Sequence, residues 1–427
     1  MIRGQPSYHR GMPERVALTP TAVAAAAEVL RPVVRETPVE RSERLSLELG
    51  TEVWLKREDL QIGRSYKVRG AYNFISSLTP AEQRLGVTCA SAGNHAQGVA
   101  YSCRALGIRG KVFVPTSTPR QKRARITALG RPWIELVLAG ANYDEASAAA
   151  LADAAATGSI YVHPFDDVRT IAGQGTVAVE LSEQCGEGMG TVIVPVGGGG
   201  LIAGIAVWLK QHAPGVRIVG AEPAGAASMA AALAAGGPVA LDHIDSFVDG
   251  AAVGTVGRLT YPIVSDLVDE MVTVPEGAVC TELLELYQSD GIIAEPAAAL
   301  ASAAARHLSG LRGPVVCIVS GGNNDVSRYA DIVERSLLFE GLKHYFLVTF
   351  PQEPGALRQF LDGVLGPDDD IALFDYVKKS NRETGPALVG IELARAGDVD
   401  GLLERMAASP LQIERVPPGS PLFTFLV

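Results

Sequence analysis

Cysteine is scarce in this 427-residue chain, and lysine is nearly as scarce. The five cysteines are Cys89, Cys103, Cys185, Cys280 and Cys317. Their number is odd and no two have C-x-x-C spacing, which excludes a disulfide framework and a zinc site of paired cysteines. Cys89 and Cys317 stand in apolar runs and read as small core residues. No apolar stretch reaches the roughly 18–20 residues of a membrane span. Residues 1–15 lack the apolar centre of a secretory leader. Positive charge is also short: 37 lysines and arginines face 47 acids, a net charge of −10. That balance argues against a general nucleic-acid binder or a binder of anionic membranes. His163 and Asp166–Asp167 form no metal-ligand spacing, and no repeat of 20–50 residues is visible. The expectation is a soluble cytoplasmic protein with no nucleic-acid, membrane or metal partner.

Hydrophobic residues make up 47% and charged residues 20%, the balance of a globular protein. The length suits two or three domains. Short apolar runs at 53–55, 87–90, 111–114, 133–138, 192–196, 217–221, 271–274 and 315–319 alternate with Ala-rich helical stretches. Runs this short and apolar predict strands buried on both faces of a mostly parallel α/β sheet. The pattern changes near residues 338–343. It then reads strand 344–350, helix 356–365, strands 371–379 and 387–394, helix 399–408, strand 411–416. This βαββαβ order predicts a small α+β domain over 342–427, after an α/β region over 1–338.

Three Gly-bearing turns follow predicted strands: 91–95, 197–200 and 320–324. In a parallel sheet the strand C-termini open onto one edge, where ligands bind. Gly197, Gly198, Gly199 and Gly200 form the sharpest signal. Four glycines free the backbone N–H groups for an anion. Ile202, Ile205, Ala206 and Leu209 then keep helical spacing, so the loop also opens a helix, whose N-terminus suits a phosphate. No Gly-Lys-Ser/Thr follows, which excludes a P-loop. Gly198–Ala203 also fits G-x-G-x-x-A, with Glu222 where a ribose-binding acid belongs, so a Rossmann oxidoreductase using NAD is an alternative. That alternative leaves Lys67 unexplained.

Lys67 is one of only eight lysines, against 29 arginines. Ala71, Phe74 and Leu78 follow it at i+4, i+7 and i+11, which places it on an apolar helix stripe. A lysine withdrawn from water gives up its proton more easily and becomes a usable amine nucleophile or base. A lysine snorkelling from a helix end is the plain alternative. His95 reads equally as a base or a loop-holder, and Glu295–Pro296 as a helix cap.

The three turns together with residues 63–71 resemble the fold-type II pyridoxal-phosphate enzymes, and among them the threonine ammonia-lyases, over nearly the whole chain. The resemblance implies two parallel-sheet α/β subdomains, the smaller at roughly 65–170, and a C-terminal ACT-like regulatory domain. It implies that Lys67 holds pyridoxal 5'-phosphate covalently and that Gly197–Gly200 and Leu201 cradle its phosphate. Asn94 would meet the ring hydroxyl, Ser320 the ring nitrogen and Gly250 the ring edge. Ser91, Gly93, Asn94 and His95 would wrap the substrate carboxylate. Threonine would be the substrate, serine a second one. Isoleucine, with valine as a competitor, would act as effector near Phe374 and Tyr376, in a homotetramer. Related serine racemases carry a second serine where this chain has Ala92, which argues against racemisation. Their metal site resembles Glu222–Ala226, but Ser228 replaces its aspartate. Alternatives are a catabolic serine/threonine dehydratase, a β-replacing enzyme and a non-catalytic amino-acid sensor.

Overall fold

The computed structural model describes residues 18–378, 382–417, 420, 422 and 423. Residues 1–15 and residue 379 of the expected strand lie outside these. The chain divides into two compact units, Met1–Pro275 with Leu286–Asn324, and Glu276–Glu285 with Asp325–Val427.

The first unit holds two sheets. The larger runs β1 (Val39–Arg41), β2 (Val53–Arg57), β10 (Val315–Val319), β7 (Thr191–Pro195), β8 (Arg217–Pro223) and β9 (Glu270–Val274) in spatial order. All its pairs are parallel except β1 with β2. The smaller runs β5 (Ile134–Leu138), β4 (Gly110–Val114), β3 (Val87–Ala90) and β6 (Ile160–Tyr161), all parallel. Every residue of β3, β7 and β10 is buried, as continuous apolar runs require when helices cover both faces.

Two corrections follow. The three Gly-bearing turns do not share one sheet edge: residues 91–95 leave β3 of the small sheet, while 197–200 and 320–324 leave β7 and β10 of the large one. The sequence pattern also passes over β1 and β6, which span only three and two residues and carry no readable alternation.

Helix packing sets where the site forms. The helices Lys67–Ser76 and Gly200–His212 both pack on Val168–Cys185. Each crossing is made at glycine: a Cβ on Gly173 would lie 2.4 Å from the Arg69 carbonyl, and one on Gly204 would lie 2.5 Å from that of Ile171. Any side chain there would force the helices apart. A buried charge cluster reinforces the first crossing. Arg69 donates to both oxygens of Glu58 at 2.8 and 2.7 Å and to Glu180 at 2.6 Å, and Lys56 joins Glu180 at 2.5 Å. Burial opposes ionisation of Glu58, but Arg69 and Lys56 outweigh it and hold the carboxyl below its ordinary range.

The second unit has a fully antiparallel sheet in the order β12 (Asp370–Tyr376), β13 (Thr384–Glu392), β11 (Lys343–Pro351), β14 (Gln412–Arg415). The helices Ala356–Val364 and Val399–Ala408 complete the βαββαβ order. Alternate residues Phe346, Val348 and Phe350 of β11 join Phe360, Val364, Leu402 and Met406 in one core, the period-2 pattern of a sheet covered on one face. Among the described residues, no helix is long and apolar enough to cross a membrane.

Candidate active site

Lys67 opens its helix directly after a segment that pairs with the loop leaving β10. Ser65 and Gly321 form an antiparallel bridge. The Tyr66 N–H donates to the Ser320 carbonyl at 3.2 Å, and the Gly322 N–H to that of Arg64 at 2.9 Å. Arg64 has φ 56°, the left-handed region that costs a non-glycine residue energy. This pairing sets Lys67 beside Ser320, which is 3% exposed. Ala71, Phe74 and Leu78 are buried below it. The half-buried Lys67 Nζ lies 3.2 Å from the Pro164 carbonyl. Burial pushes the amine down to about 8, against the opposing pull of Glu295. At pH 7 about a tenth of the amine is then neutral, far more than for a free lysine.

The loops of the two sheets meet through side chains. Asn94, at the start of the helix Asn94–Leu106, donates from Nδ2 to Glu295 Oε1 at 2.6 Å. Asn323 donates from its Nδ2 to Asn94 Oδ1 and to the Gly63 carbonyl, both at 2.7 Å. Glu295 takes the N-cap backbone position of the helix Pro296–Ala305, yet its side chain makes no cap bond. Its reading as a cap is therefore corrected. Burial first, then the charge of Asp249, raises this carboxyl to about 7; Asn94 and the Asn323 N–H pull the other way. The readable trace was an acid placed straight after the apolar run 292–294, where a surface cap is out of place.

His95 follows Asn94, but its ring turns into the core, with Nε2 2.8 Å from the Val162 carbonyl. Burial, then the Lys67 charge, pushes it down to about 3, so the ring is neutral. What the first turn of this helix offers a ligand is backbone N–H. The Ser91 hydroxyl accepts from the Gly93 N–H at 3.2 Å.

The tetraglycine turn links β7 to the helix Gly200–His212. Gly199 has φ +89°, and a Cβ on Gly198 would stand 2.3 Å from the Phe165 ring. Only glycine fits, so the turn presents backbone. The Thr260 hydroxyl fixes the turn by donating to the Gly198 carbonyl at 2.7 Å. Leu201 is buried behind it. Gly250 backs onto the Ala297 and Glu295 side chains, where a Cβ would come 2.8 Å from Ala297. A glycine cradle at a helix N-terminus, which offers backbone N–H donors, and a lysine with a lowered pKa fit a phosphorylated aldehyde. Glu222 does not serve a ribose. Its carboxylate accepts from the N–H groups of Met229 and Ala230 at 2.7 and 2.9 Å, inside the protein.

Phe374 and Tyr376 stand in the second unit, half-buried around Phe350 at ring separations of 5.9 and 6.0 Å.

A two-sheet α/β unit with this lysine and this cradle defines a pyridoxal-phosphate dependent enzyme, and the profile of that family matches residues 30–321. The C-terminal regulatory domain of threonine dehydratase matches residues 334–426. The biosynthetic L-threonine dehydratase of Mycobacterium tuberculosis is 57% identical over 414 residues, 96% of each chain. That of Corynebacterium glutamicum is 54% identical over 418 residues, 96% of this chain and 95% of the relative. Among solved structures, the processed threonine deaminase isoform 2 of Solanum lycopersicum superposes with a TM-score of 0.71 at 39% identity, covering 74% of this chain and 93% of that one. Maize serine racemase gives 0.70 at 32% identity, covering 76% and 99%. The chain belongs to the biosynthetic threonine dehydratase family. The Rossmann alternative is thereby overturned, and so is a sensor without a catalytic unit.

Proposed function

We propose that this chain deaminates L-threonine to 2-oxobutanoate and ammonia by β-elimination, with pyridoxal phosphate, as the first committed step of isoleucine biosynthesis. The observation that carries the proposal is Lys67, whose amine is pushed down to about 8 beside the Ser320 loop and within one unit with the glycine cradle. The cofactor supplies an electron sink for the bond broken at Cα. Gly197–Gly200 and Leu201 hold its phosphate by backbone N–H, Asn94 its ring oxygen, and Gly250 lines its edge. Ser320 offers the ring nitrogen a neutral hydroxyl. A carboxylate there would favour protonation; a hydroxyl does not, which favours prompt elimination over transamination. Ser91, Gly93, Asn94 and the His95 N–H bind the substrate carboxylate at a helix N-terminus. Lys67 would anchor the cofactor, and its amine, when free, would take the Cα proton as general base. The β-hydroxyl would leave with a proton as water, and hydrolysis of the product would release ammonia. Ala92 offers no acid or base to the opposite face, which disfavours racemisation.

The catalytic region is taken as residues 1–338, with a smaller subdomain at roughly 65–170, and the regulatory domain as 342–427. Isoleucine acts there, with valine competing, near Phe374 and Tyr376. The enzyme works in the cytoplasm as a homotetramer. Serine is a second substrate, because one methyl in an apolar pocket is worth only about 1–3 kcal/mol. A catabolic dehydratase is the weaker reading, because the regulatory domain matches over residues 334–426. The test is steady-state kinetics on threonine and serine with and without isoleucine. We expect turnover of both and a raised half-saturating threonine concentration with isoleucine. Absence of 2-oxobutanoate would remove the proposal.

A further inference from the structure

The Asn94 side chain is held on two sides, by Asn323, whose role is fixed, and by Glu295. The Gly63 carbonyl only accepts, so it fixes Asn323 with Nδ2 toward the site. That same Nδ2 donates to Asn94 Oδ1 at 2.7 Å. Asn94 must then turn its own Nδ2 toward Glu295, whose Oε1 accepts at 2.6 Å. Flipping the Asn94 amide would set Nδ2 against the Asn323 donor and, where Glu295 is ionised, Oδ1 against a carboxylate. One Nδ2 hydrogen is used by Glu295, and one remains.

The protein makes room for this carboxylate at some cost. Glu295 is 6% exposed. Its Oε1 lies 2.5 Å from where a Cβ on Gly321 would stand and 3.5 Å from one on Gly250. In its helix the Ala298 and Ala299 N–H groups donate to the Glu295 backbone carbonyl at 2.9 and 3.3 Å, and the side chain makes no cap bond. The side chain is thus free of a local duty. The charged and titratable groups that face it are Asp249, Lys122, Lys67 and Tyr66. None of these is its hydrogen-bond partner among the described contacts, so no ion pair explains burying the acid. A buried carboxylate is costly unless it does something specific.

We propose that Glu295 is a positioning residue for the reaction: it fixes the Asn94 amide so that the remaining Nδ2 hydrogen faces the cofactor ring. The proposal rests on Asn94 as a cofactor contact, and it adds the group that sets how Asn94 points.

The experiment compares Glu295→Met, Glu295→Gln, Asn94→Ala and the double variant Asn94→Ala/Glu295→Met in the full chain. Binding of pyridoxal phosphate to each apoprotein is followed by absorbance, alongside kcat and KM for threonine. Methionine keeps length and burial but cannot accept. We expect weaker cofactor binding, a shifted absorption band, and kcat/KM lower by about 10–100-fold, the usual cost of losing an outer partner at a liganded site. Glutamine retains an acceptor oxygen and should restore most of the loss, which a bare need for bulk or charge would not produce. The double variant should match Asn94→Ala within about twofold, since both changes remove one interaction. Penalties that multiply, or a Glu295→Met variant with native cofactor affinity and spectrum, would overturn the proposal while leaving Asn94 in place. Unchanged cofactor affinity in Asn94→Ala would remove the Asn94 contact itself, and the proposal with it. If Glu295→Met does not fold, Glu295→Ala removes the acceptor without adding bulk; it should lose cofactor affinity that Glu295→Gln largely keeps, and native affinity in Glu295→Ala overturns the proposal.

Discussion

Lys67 and Lys343 show how the two units treat the same side chain. Both lose water on folding. In the catalytic unit, Lys67 finds a carbonyl at 3.2 Å and, among the described residues, no carboxylate in contact, so burial wins and the amine drops to about 8. In the C-terminal unit, burial also works against Lys343. Its contacts with Glu334 at 2.6 Å and Glu392 at 3.1 Å outweigh it and raise the amine to about 12. A lysine left without a partner is available for chemistry; a lysine given two is a rivet. The units differ in backbone in the same sense. The first sets the left-handed Arg64 and Gly63 just before Lys67 and the left-handed Gly199 in the glycine cradle. The second is an antiparallel sheet packed with two helices, with one register shift between Ile371 and Leu373. The chemistry of the first unit is placed by irregular backbone.

The sharpest way to break the contrast is Lys67→Ala. One amine is both anchor and base, so we expect kcat to fall by about 10⁴-fold or more while the protein stays folded, measured by 2-oxobutanoate release and circular dichroism. Turnover near the native rate would make Lys67 a second rivet.

Next is Lys343→Met. It takes the cation from Glu392 and from the partly buried Glu334, which keeps the Tyr345 hydroxyl at 2.6 Å, and we expect a loss of about 1–3 kcal/mol in the stability of the C-terminal unit, read by denaturant titration. The pH dependence follows in sign. The folded amine is raised, so its stabilisation is complete below the unfolded value of ~10.4 and fades as pH climbs through about 12. Lys67 has the opposite sign. Its folded amine is depressed, so protonation costs the apoprotein stability below about 8, and that cost disappears between about 8 and ~10.4. Lys67→Met apoprotein should therefore gain on wild type at pH 7 and lose that gain by pH 11. A flat difference between the two would show that burial does not govern Lys67.

The smallest effect is expected at Tyr376→Ala. Effector coupling is typically worth about 1–3 kcal/mol, so the rise in half-saturating threonine caused by isoleucine should shrink by up to about tenfold. An isoleucine response equal to wild type would place the effector away from the aromatic cluster of Phe350, Phe374 and Tyr376.

The large sheet was readable because a strand buried on both faces must be apolar throughout, as 192–196 and 315–319 are. The C-terminal unit was readable for the opposite reason: its strands alternate. Strands β1 and β6 were not readable, since two or three residues show no period. The three glycine turns stood out and pointed to one pocket on one sheet edge; that the first leaves a different sheet, and that Asn94 and Asn323 join its loop to the one after β10, was not readable. Glu295 looked like a cap because acid followed by proline at a helix start usually is one. That its carboxylate is buried, and reaches a loop 201 residues earlier in the chain, is a property of the tertiary fold. No local pattern encodes it.

The position of β10 in the large sheet has a consequence for synthesis. It pairs with β2 on one side and β7 on the other, yet it is the last strand of the catalytic unit to leave the ribosome. Until residues 315–319 emerge, β2 and β7 each present an unpaired apolar edge, the kind of surface that recruits other chains. The nascent protein can fold its small sheet early, since β3 to β6 lie within 87–161. It cannot assemble the Ser65–Gly321 bridge that seats Lys67, because half of that bridge is made last. Release of a chain that stops short of residue 320 therefore yields no partly active enzyme, only an open sheet for chaperones and proteases to find.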